Sequence, residues 1–288
     1  MKKSQMKRCT EVKFDPEINE SIEFTKQVPV LINYSVNKKR FTKTPDNYDL
    51  EILKQIENTR IENWIPIEKL VEGQNMSQPM TSHGLTHVHH FYTRRNLILL
   101  SALYSKCDSK ELKFLFTGML TRSSKQARFL VKNYFHGGGG WVGTSLSGTL
   151  FIPALSIEVI PTVTFKNRID RAVETDNLSS LVTTQAAQNL SQIEDNSIDY
   201  IFTDPPFGGN LMYSELNYNM ESWLKVKTNN SLEAIINQYQ RKSLPEYQFL
   251  MEKCFEEYFR VLKPNRWITV EFSNSQSRIW NSIQEALQ

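Results

Sequence analysis

The sequence predicts an α/β protein, with a parallel sheet in its C-terminal part and a basic, mainly helical region ahead of it. Three observations carry this reading. From residue 176 onward, apolar β-branched runs alternate with helix-length amphipathic stretches, as in βαβ units with a covered parallel sheet. Residues 1–175 are dominated by long apolar helical runs rather than by regularly spaced strands. The 288 residues, 40% hydrophobic and 23% charged, match ordinary globular usage and suffice for one large or two small domains.

Residues 1–47 are polar with scattered extended runs such as Val28–Tyr34, and read as a loosely structured arm. Tyr48–Asn63 has apolar residues at 50, 52, 53 and 56, the spacing of a short amphipathic helix. Pro66, Pro79 and Gly84 break the next stretch. Arg94–Lys106 reads as a largely buried helix and Glu111–Tyr134 as a longer one. On that second helix Arg122, Lys125, Arg128 and Lys132 fall on one face, either a solvent face or a stripe along a phosphate backbone. The glycine run of His136–Gly143 excludes regular structure there. Thr149–Ile152 and Ser156–Val163 read as strands, and Phe165–Glu174 as a helix.

In the C-terminal part, Leu181–Thr184, Ile198–Thr203 and Trp267–Phe272 read as strands. Tyr213–Val226, Leu232–Tyr239, Tyr247–Leu262 and Ser275–Gln288 read as helices. The last pattern runs to the final residue without a breaker, which suggests a truncated domain.

No window approaches eighteen consecutive apolar residues, so no membrane span is expected. Three dispersed cysteines exclude a disulfide framework or zinc ribbon and fit a reducing cytoplasm. The net charge is only +3, but its distribution is uneven. Residues 1–44 hold ten Lys/Arg against five Asp/Glu, and residues 109–132 hold six against one. A polyanion such as DNA suits that concentration.

The chemistry is concentrated in Ser197–Asn210, where an apolar strand ends in Asp204-Pro205-Pro206-Phe207 and a glycine pair. In open α/β sheets, ligands bind at the carboxyl ends of strands. Two prolines fix two φ angles and remove two donors, leaving acceptors: the Asp204 carboxylate and nearby carbonyls. Phe207 adds a flat apolar face. A planar amine fits, donating one hydrogen to Asp204 and one to the Pro205 carbonyl while its ring stacks on Phe207. Pulling both hydrogens out of the ring plane localises the nitrogen lone pair, which can then attack an electrophilic methyl.

This motif matches the fourth motif of amino-group methyltransferases, Asp/Asn/Ser-Pro-Pro-aromatic. Asp195–Val226 resembles bacterial adenine-specific DNA methylases of the large, insertion-containing type, as do Gly84–Tyr104, Phe135–Glu158 and Tyr258–Ser275. The resemblance covers roughly residues 30–288. It implies a partial Rossmann-like methyltransferase sheet in 176–288, with 1–175 as an inserted DNA-contacting region. It also implies methyl transfer from S-adenosylmethionine to the amine of an adenine flipped out of DNA. Asp204, Pro205, Pro206 and Phe207 are the positions matching the catalytic motif.

The chain departs from the family in its cofactor elements: it has no D-x-F-x-G-x-G-like cofactor loop. Phe116-Thr117-Gly118 lies in a helical pattern, and Thr184-Gln185-Ala186-Ala187 lacks the usual Gly or acid. Cofactor-binding residues are therefore not assigned, and a second chain supplying that loop is expected as a partner alongside DNA.

Tyr213 follows the motif and is expected to line the base pocket, whereas Glu215 reads equally as a helix N-terminal charge. Arg94 and Arg95 open a helix against its dipole, which a phosphate would explain. With Arg122, Lys125 and Arg128 they form the expected substrate-binding set. Trp141 either stacks on a base or anchors the glycine loop. His83, His87, His89 and His90 have no Cys or carboxylate at ligand spacing, so they read as structural or DNA-facing and no metal is expected. Two other readings stay open: a catalytically silent nucleic-acid-binding remnant, and methyl transfer to an RNA base or a protein glutamine.

Overall fold

A computed structural model describes residues 8–136, 140–172 and 180–288. The chain divides into two compact units. The first comprises residues 1–71, 75–172 and 222–225; the second comprises 72–74, 173–221 and 226–288. The expected boundary at 175/176 and the first three of the four glycines lie outside the described residues.

The first unit opens with two antiparallel hairpins, β1 (Thr10–Asp15) with β2 (Glu20–Thr25) and β3 (Ile32–Val36) with β4 (Lys39–Lys43). From Thr10 onward the expected loose arm is therefore ordered, and its residues 1–7 lie outside the described residues. Its strands are short and mostly exposed, so the alternation of apolar residues that marks a buried face is weak. Then come α1 (Asn47–Glu57), α2 (Ser77–His83), α3 (Arg94–Tyr104) and α4 (Lys110–Leu120). The rest is β5 (Arg128–Phe129), α5 (Val131–Phe135), β6 (Val142–Gly143) and α6 (Pro161–Ile169). A region expected to be mainly helical thus also carries six strands among its described residues.

Asp46 caps α1 in a reciprocal box with Asp49, and Thr93 and Ser109 accept from the third N–H of α3 and α4. The core holds Val88, Phe91, Leu100, Phe116, Met119 and Leu120. Trp223, fully buried, donates its indole N–H to the Tyr92 hydroxyl at 3.1 Å and meets Phe116 edge to face. At the C-terminus of α2, Gly84 has φ +73°, and a Cβ there would lie 2.1 Å from the Glu23 carbonyl oxygen of β2. Gly84→Ala is expected to cost about 2 kcal/mol or more, read as a lower urea midpoint, because neither the backbone angle nor the neighbouring strand can yield cheaply.

The long helix expected over Glu111–Tyr134 is broken after Leu120. Ser124 Oγ accepts from the Gln126 N–H, and the Lys125 N–H donates to the Phe91 carbonyl at 2.7 Å, so tertiary bonds replace the helical ladder. Arg122, Lys125, Arg128 and Lys132 therefore do not form a stripe on one helix. The strand expected at Thr149–Ile152 is also absent. The Gln78 side-chain amide pairs with both backbone groups of Ile152, at 3.0 Å each, where a strand partner would sit. Of Ser156–Val163, Ser156 makes one bridge to Arg128, and Pro161 already begins α6.

The second unit runs β7 (Ile198–Thr203), α7 (Tyr213–Leu224, whose last turn belongs to the first unit), α8 (Leu244–Val261), β8 (Leu262–Val270) and α9 (Ser277–Ala286). β7 and β8 are parallel, joined by a helical crossover. Tyr247, Met251 and Phe255 of α8 and Ile279, Ile283 and Ala286 of α9 form the core, with Val270 of β8 against them. The fold is mixed α/β with a parallel strand pair. The expectation of a sheet covered on both faces is corrected: Tyr200, Phe202 and Trp267 stay exposed, Trp267 at 78%. Leu181–Thr184 forms no strand. Leu232–Tyr239 is not a helix either. Only Asn230–Leu232 makes a short 3₁₀ turn, and the Ile236 N–H is taken by the Gly208 carbonyl.

Candidate functional site

β7 delivers Asp204-Pro205-Pro206-Phe207 at its carboxyl end. The Glu271 N–H reaches the Thr203 carbonyl at 2.9 Å, so the ladder to the following strand runs up to the motif. Asp204 is exposed, Pro205 buried, and Pro206 and Phe207 half-buried. The turn after the motif depends on Gly208, with φ +74° and a Cβ position 3.0 Å from Ile279 Cδ1.

Three of the loop's carbonyls are then taken up. Pro206 O accepts from the Tyr247 hydroxyl at 2.6 Å and from the Gly208 N–H at 3.0 Å. Phe207 O accepts from Asn274 Nδ2 at 2.9 Å, and Gly208 O from the Ile236 N–H at 3.2 Å. The Asp204 carboxylate and the Pro205 carbonyl are among the acceptors left without a hydrogen bond among the described residues. Phe207 is fixed edge to face by Phe272, at 5.2 Å and 84°, and Phe272 by Trp280. Trp280 in turn donates to the Asn274 carbonyl at 2.7 Å.

Tyr247, Asn274 and Ile236 were not singled out by the sequence. Tyr247 carried one signal: it sits on the buried face of an amphipathic helix with a hydroxyl that needs a partner. Burial pushes its phenol up to about 12, so it remains a donor at neutral pH. Tyr247→Phe is expected to lower stability by about 1 kcal/mol in urea unfolding, the net worth of one such bond.

Tyr213, the first residue of α7, is exposed. Glu215 is buried and accepts from the Gln74 N–H at 3.3 Å and from Asn237 Nδ2 at 3.1 Å. It braces the segment around Gln74 rather than serving only as a helix-terminal charge. Ser214 at the same helix start bonds Glu233 through both its N–H and its hydroxyl.

The expected phosphate-facing cations lie in the first unit. Arg94 donates to Glu17 Oε1 at 2.8 Å and twice to the Thr59 carbonyl; Arg95 pairs with Glu158 at 3.1 Å. The cations opening α3 are thus met by protein carboxylates. Arg128 donates to the Thr144 carbonyl at 2.8 Å. Lys125 is half-buried with its ammonium over the Phe24 ring, and burial pulls it down to about 8. Arg122 is exposed. Trp141 packs edge to face on Tyr134 at 5.0 Å, and its carbonyl accepts from the Leu130 N–H, so it anchors the segment after the glycines. Phe116-Thr117-Gly118 lies within α4 with Phe116 buried, as its helical pattern predicts.

The histidines acquire a carboxylate that spacing did not reveal. Asp15, 74 residues upstream, accepts from His89 Nε2 and His90 Nε2, both at 2.7 Å, and all three are buried. Its other oxygen accepts from the Glu17 N–H at 3.0 Å. The three side chains also have the spacing of a metal-ligand set. The surrounding hydrogen bonds argue otherwise. A histidine that binds metal through Nε2 carries its proton on Nδ1 and donates it. His90 Nδ1 instead faces the N–H groups of Thr86 and His87, at 3.2 and 3.3 Å, and so must accept. His89 Nδ1 is buried without a partner among the described residues. The cluster is a carboxylate gripped by two imidazoles, which ties the β1–β2 hairpin to the His-rich segment. Burial pulls His83 and His90 down to about 4.

No model of a known protein family, no curated protein and no solved structure matches the chain. Among the described residues no helix is long and apolar enough to cross a membrane.

Proposed function

We propose that this chain carries the catalytic half of an adenine-specific DNA methyltransferase. One observation carries the reading: beside the engaged carbonyls of Pro206, Phe207 and Gly208, the Asp204 carboxylate and the Pro205 carbonyl make no hydrogen bond among the described residues and are open as acceptors. They are the pair needed to take both hydrogens of a planar amine. Phe207 supplies the ring against which the base packs, with Phe272 holding it from behind. The rigid prolines keep the acceptors in place, so the gain comes from positioning and from a preorganised field around the nitrogen. The amine of a paired adenine is inside the duplex, so the base must be flipped to reach this loop.

S-adenosylmethionine is the methyl donor in this reading and supplies the electrophilic carbon. The sequence holds no glycine-rich cofactor turn, so no residue of this chain is assigned to the cofactor. A second polypeptide segment bearing that turn is part of the proposal. The uncovered face of β7 and β8, with Tyr200, Phe202 and Trp267 exposed, supports an incomplete sheet of Rossmann-like type.

The test is transfer of a labelled methyl from S-adenosylmethionine to duplex DNA by the chain together with the segment bearing the cofactor turn, with single-stranded RNA and a glutamine peptide as competing acceptors. Calorimetric titration of the cofactor into the chain runs alongside. Incorporation into adenine at the exocyclic nitrogen supports the reading; incorporation into RNA or glutamine redirects the acceptor. The missing cofactor turn favours one other reading, a silent DNA-binding remnant. That reading predicts salt-sensitive DNA binding with no methyl transfer even when the segment bearing the cofactor turn is supplied.

A further inference from the structure

Residues 26–45 contain five lysines and arginines and no carboxylate. Ten of them form β3 and β4, closed by a two-residue turn at Asn37 and Lys38, both left-handed at φ 49° and 67°. Every residue from 33 to 42 is exposed. The cross-strand register sorts their side chains by chemistry. One face pairs Asn33 with Thr42 and Ser35 with Arg40; the other pairs Tyr34 with Phe41 and Val36 with Lys39. The Tyr34 and Phe41 rings stack on each other at 5.6 Å and stiffen the ribbon from behind. Lys43 is spent on Asp46 and Asp49. Lys26, Lys38, Lys39 and Arg40 have no carboxylate partner among the described residues.

A ribbon with one polar, uncovered face and unpaired cations around it fits one kind of partner best. The major groove of a DNA duplex, about 12 Å wide, admits a two-stranded β-ribbon. Asn, Arg, Ser and Thr are the side chains that hydrogen-bond base edges there: Arg to guanine, Asn to adenine, Ser and Thr to either. Lysines at the tip and flank meet phosphates. We propose that the β3–β4 hairpin enters the major groove, with Asn33, Ser35, Arg40 and Thr42 facing base edges and Lys38 and Lys39 on the backbone. This rests on the reading of duplex DNA as substrate and names the element that selects its sequence.

The experiment measures binding of the full chain to a fluorescent 30-base-pair duplex across a salt series, and selects sequences from a random-duplex pool. Lys38→Ala with Lys39→Ala is expected to weaken binding about tenfold and to flatten the log–log salt slope by about 1 to 2, and the Lys→Arg pair to restore it. Arg40→Ala is expected to relax the selected sequence at one or two positions, by about tenfold in discrimination. All are exposed, so melting temperatures should not move. Unchanged slopes and selected sequences overturn the assignment. So does wild-type binding to single-stranded RNA or to heparin as tight as to duplex, or no duplex binding at all. If the hairpin variants bind like wild type while Asp204→Ala still removes methyl transfer, only the hairpin assignment falls. If duplex binding depends on the hairpin but no methyl is transferred with the cofactor-turn segment present, only the enzymatic reading falls.

Discussion

Asp204→Ala is expected to lower methyl transfer to duplex DNA by about 10³-fold, within the range for removing one preorganised partner of a developing charge. The carboxylate is exposed and makes no hydrogen bond among the described residues, so the substitution should leave the melting temperature and urea midpoint unchanged. Asp204→Asn is the sharper control. Its amide oxygen still accepts one hydrogen, and the motif of amino-group methyltransferases admits Asn at this place. It should therefore retain activity within about tenfold of wild type, far above the alanine variant. Equal activity in wild type and Asp204→Ala would remove the proposed mechanism altogether. A parallel loss of activity and stability would assign Asp204 to the fold instead.

The second large effect lies at Asp15. Asp15→Ala leaves the Nε2 hydrogens of His89 and His90 buried without their acceptor, and is expected to cost about 2–5 kcal/mol in urea unfolding. The same cluster makes stability depend on pH. Burial holds His90 neutral down to about 4, against an ordinary value of 6.5. Between those values the unfolded chain binds a proton that the folded chain refuses, so stability is full above about pH 6.5 and falls as the solution is acidified toward 4. Burial alone would raise Asp15, but the hydrogen bonds from His89 and His90 outweigh it and hold the carboxyl well below its ordinary range. Its contribution is present above about pH 4 and is lost below. Both act in one direction. A urea midpoint that falls by the equivalent of about 3 kcal/mol from pH 7 to pH 4 is expected. A flat profile, or one unchanged in Asp15→Ala, would separate the cluster from the fold's acid sensitivity.

Some of this was legible residue by residue. Ile198–Thr203 is a strand because its β-branched and aromatic residues are bounded by Asp-Pro-Pro, and it lies where the pattern placed it. α3, α7, α8 and α9 follow their apolar periodicities to within a few residues. The failures share a cause. Glu111–Tyr134, Thr149–Ile152 and Leu232–Tyr239 all have apolar residues at suitable spacing. In each case a distant group captured the backbone: the Phe91 carbonyl, the Gln78 amide and the Gly208 carbonyl.

The candidate site divides along the same line. Asp204 to Phe207 could be named from four adjacent letters, because prolines fix their own φ and carry no N–H whatever surrounds them. Their chemistry is local and survives reading in one dimension. Which carbonyls remain free was settled by Tyr247, Asn274 and Ile236, between 28 and 67 residues away in sequence. Asp15 likewise became the partner of two histidines only by folding back across 74 positions. Hydrogen bonds are satisfied by whatever group lies within about 3 Å, and linear spacing carries no record of such neighbours.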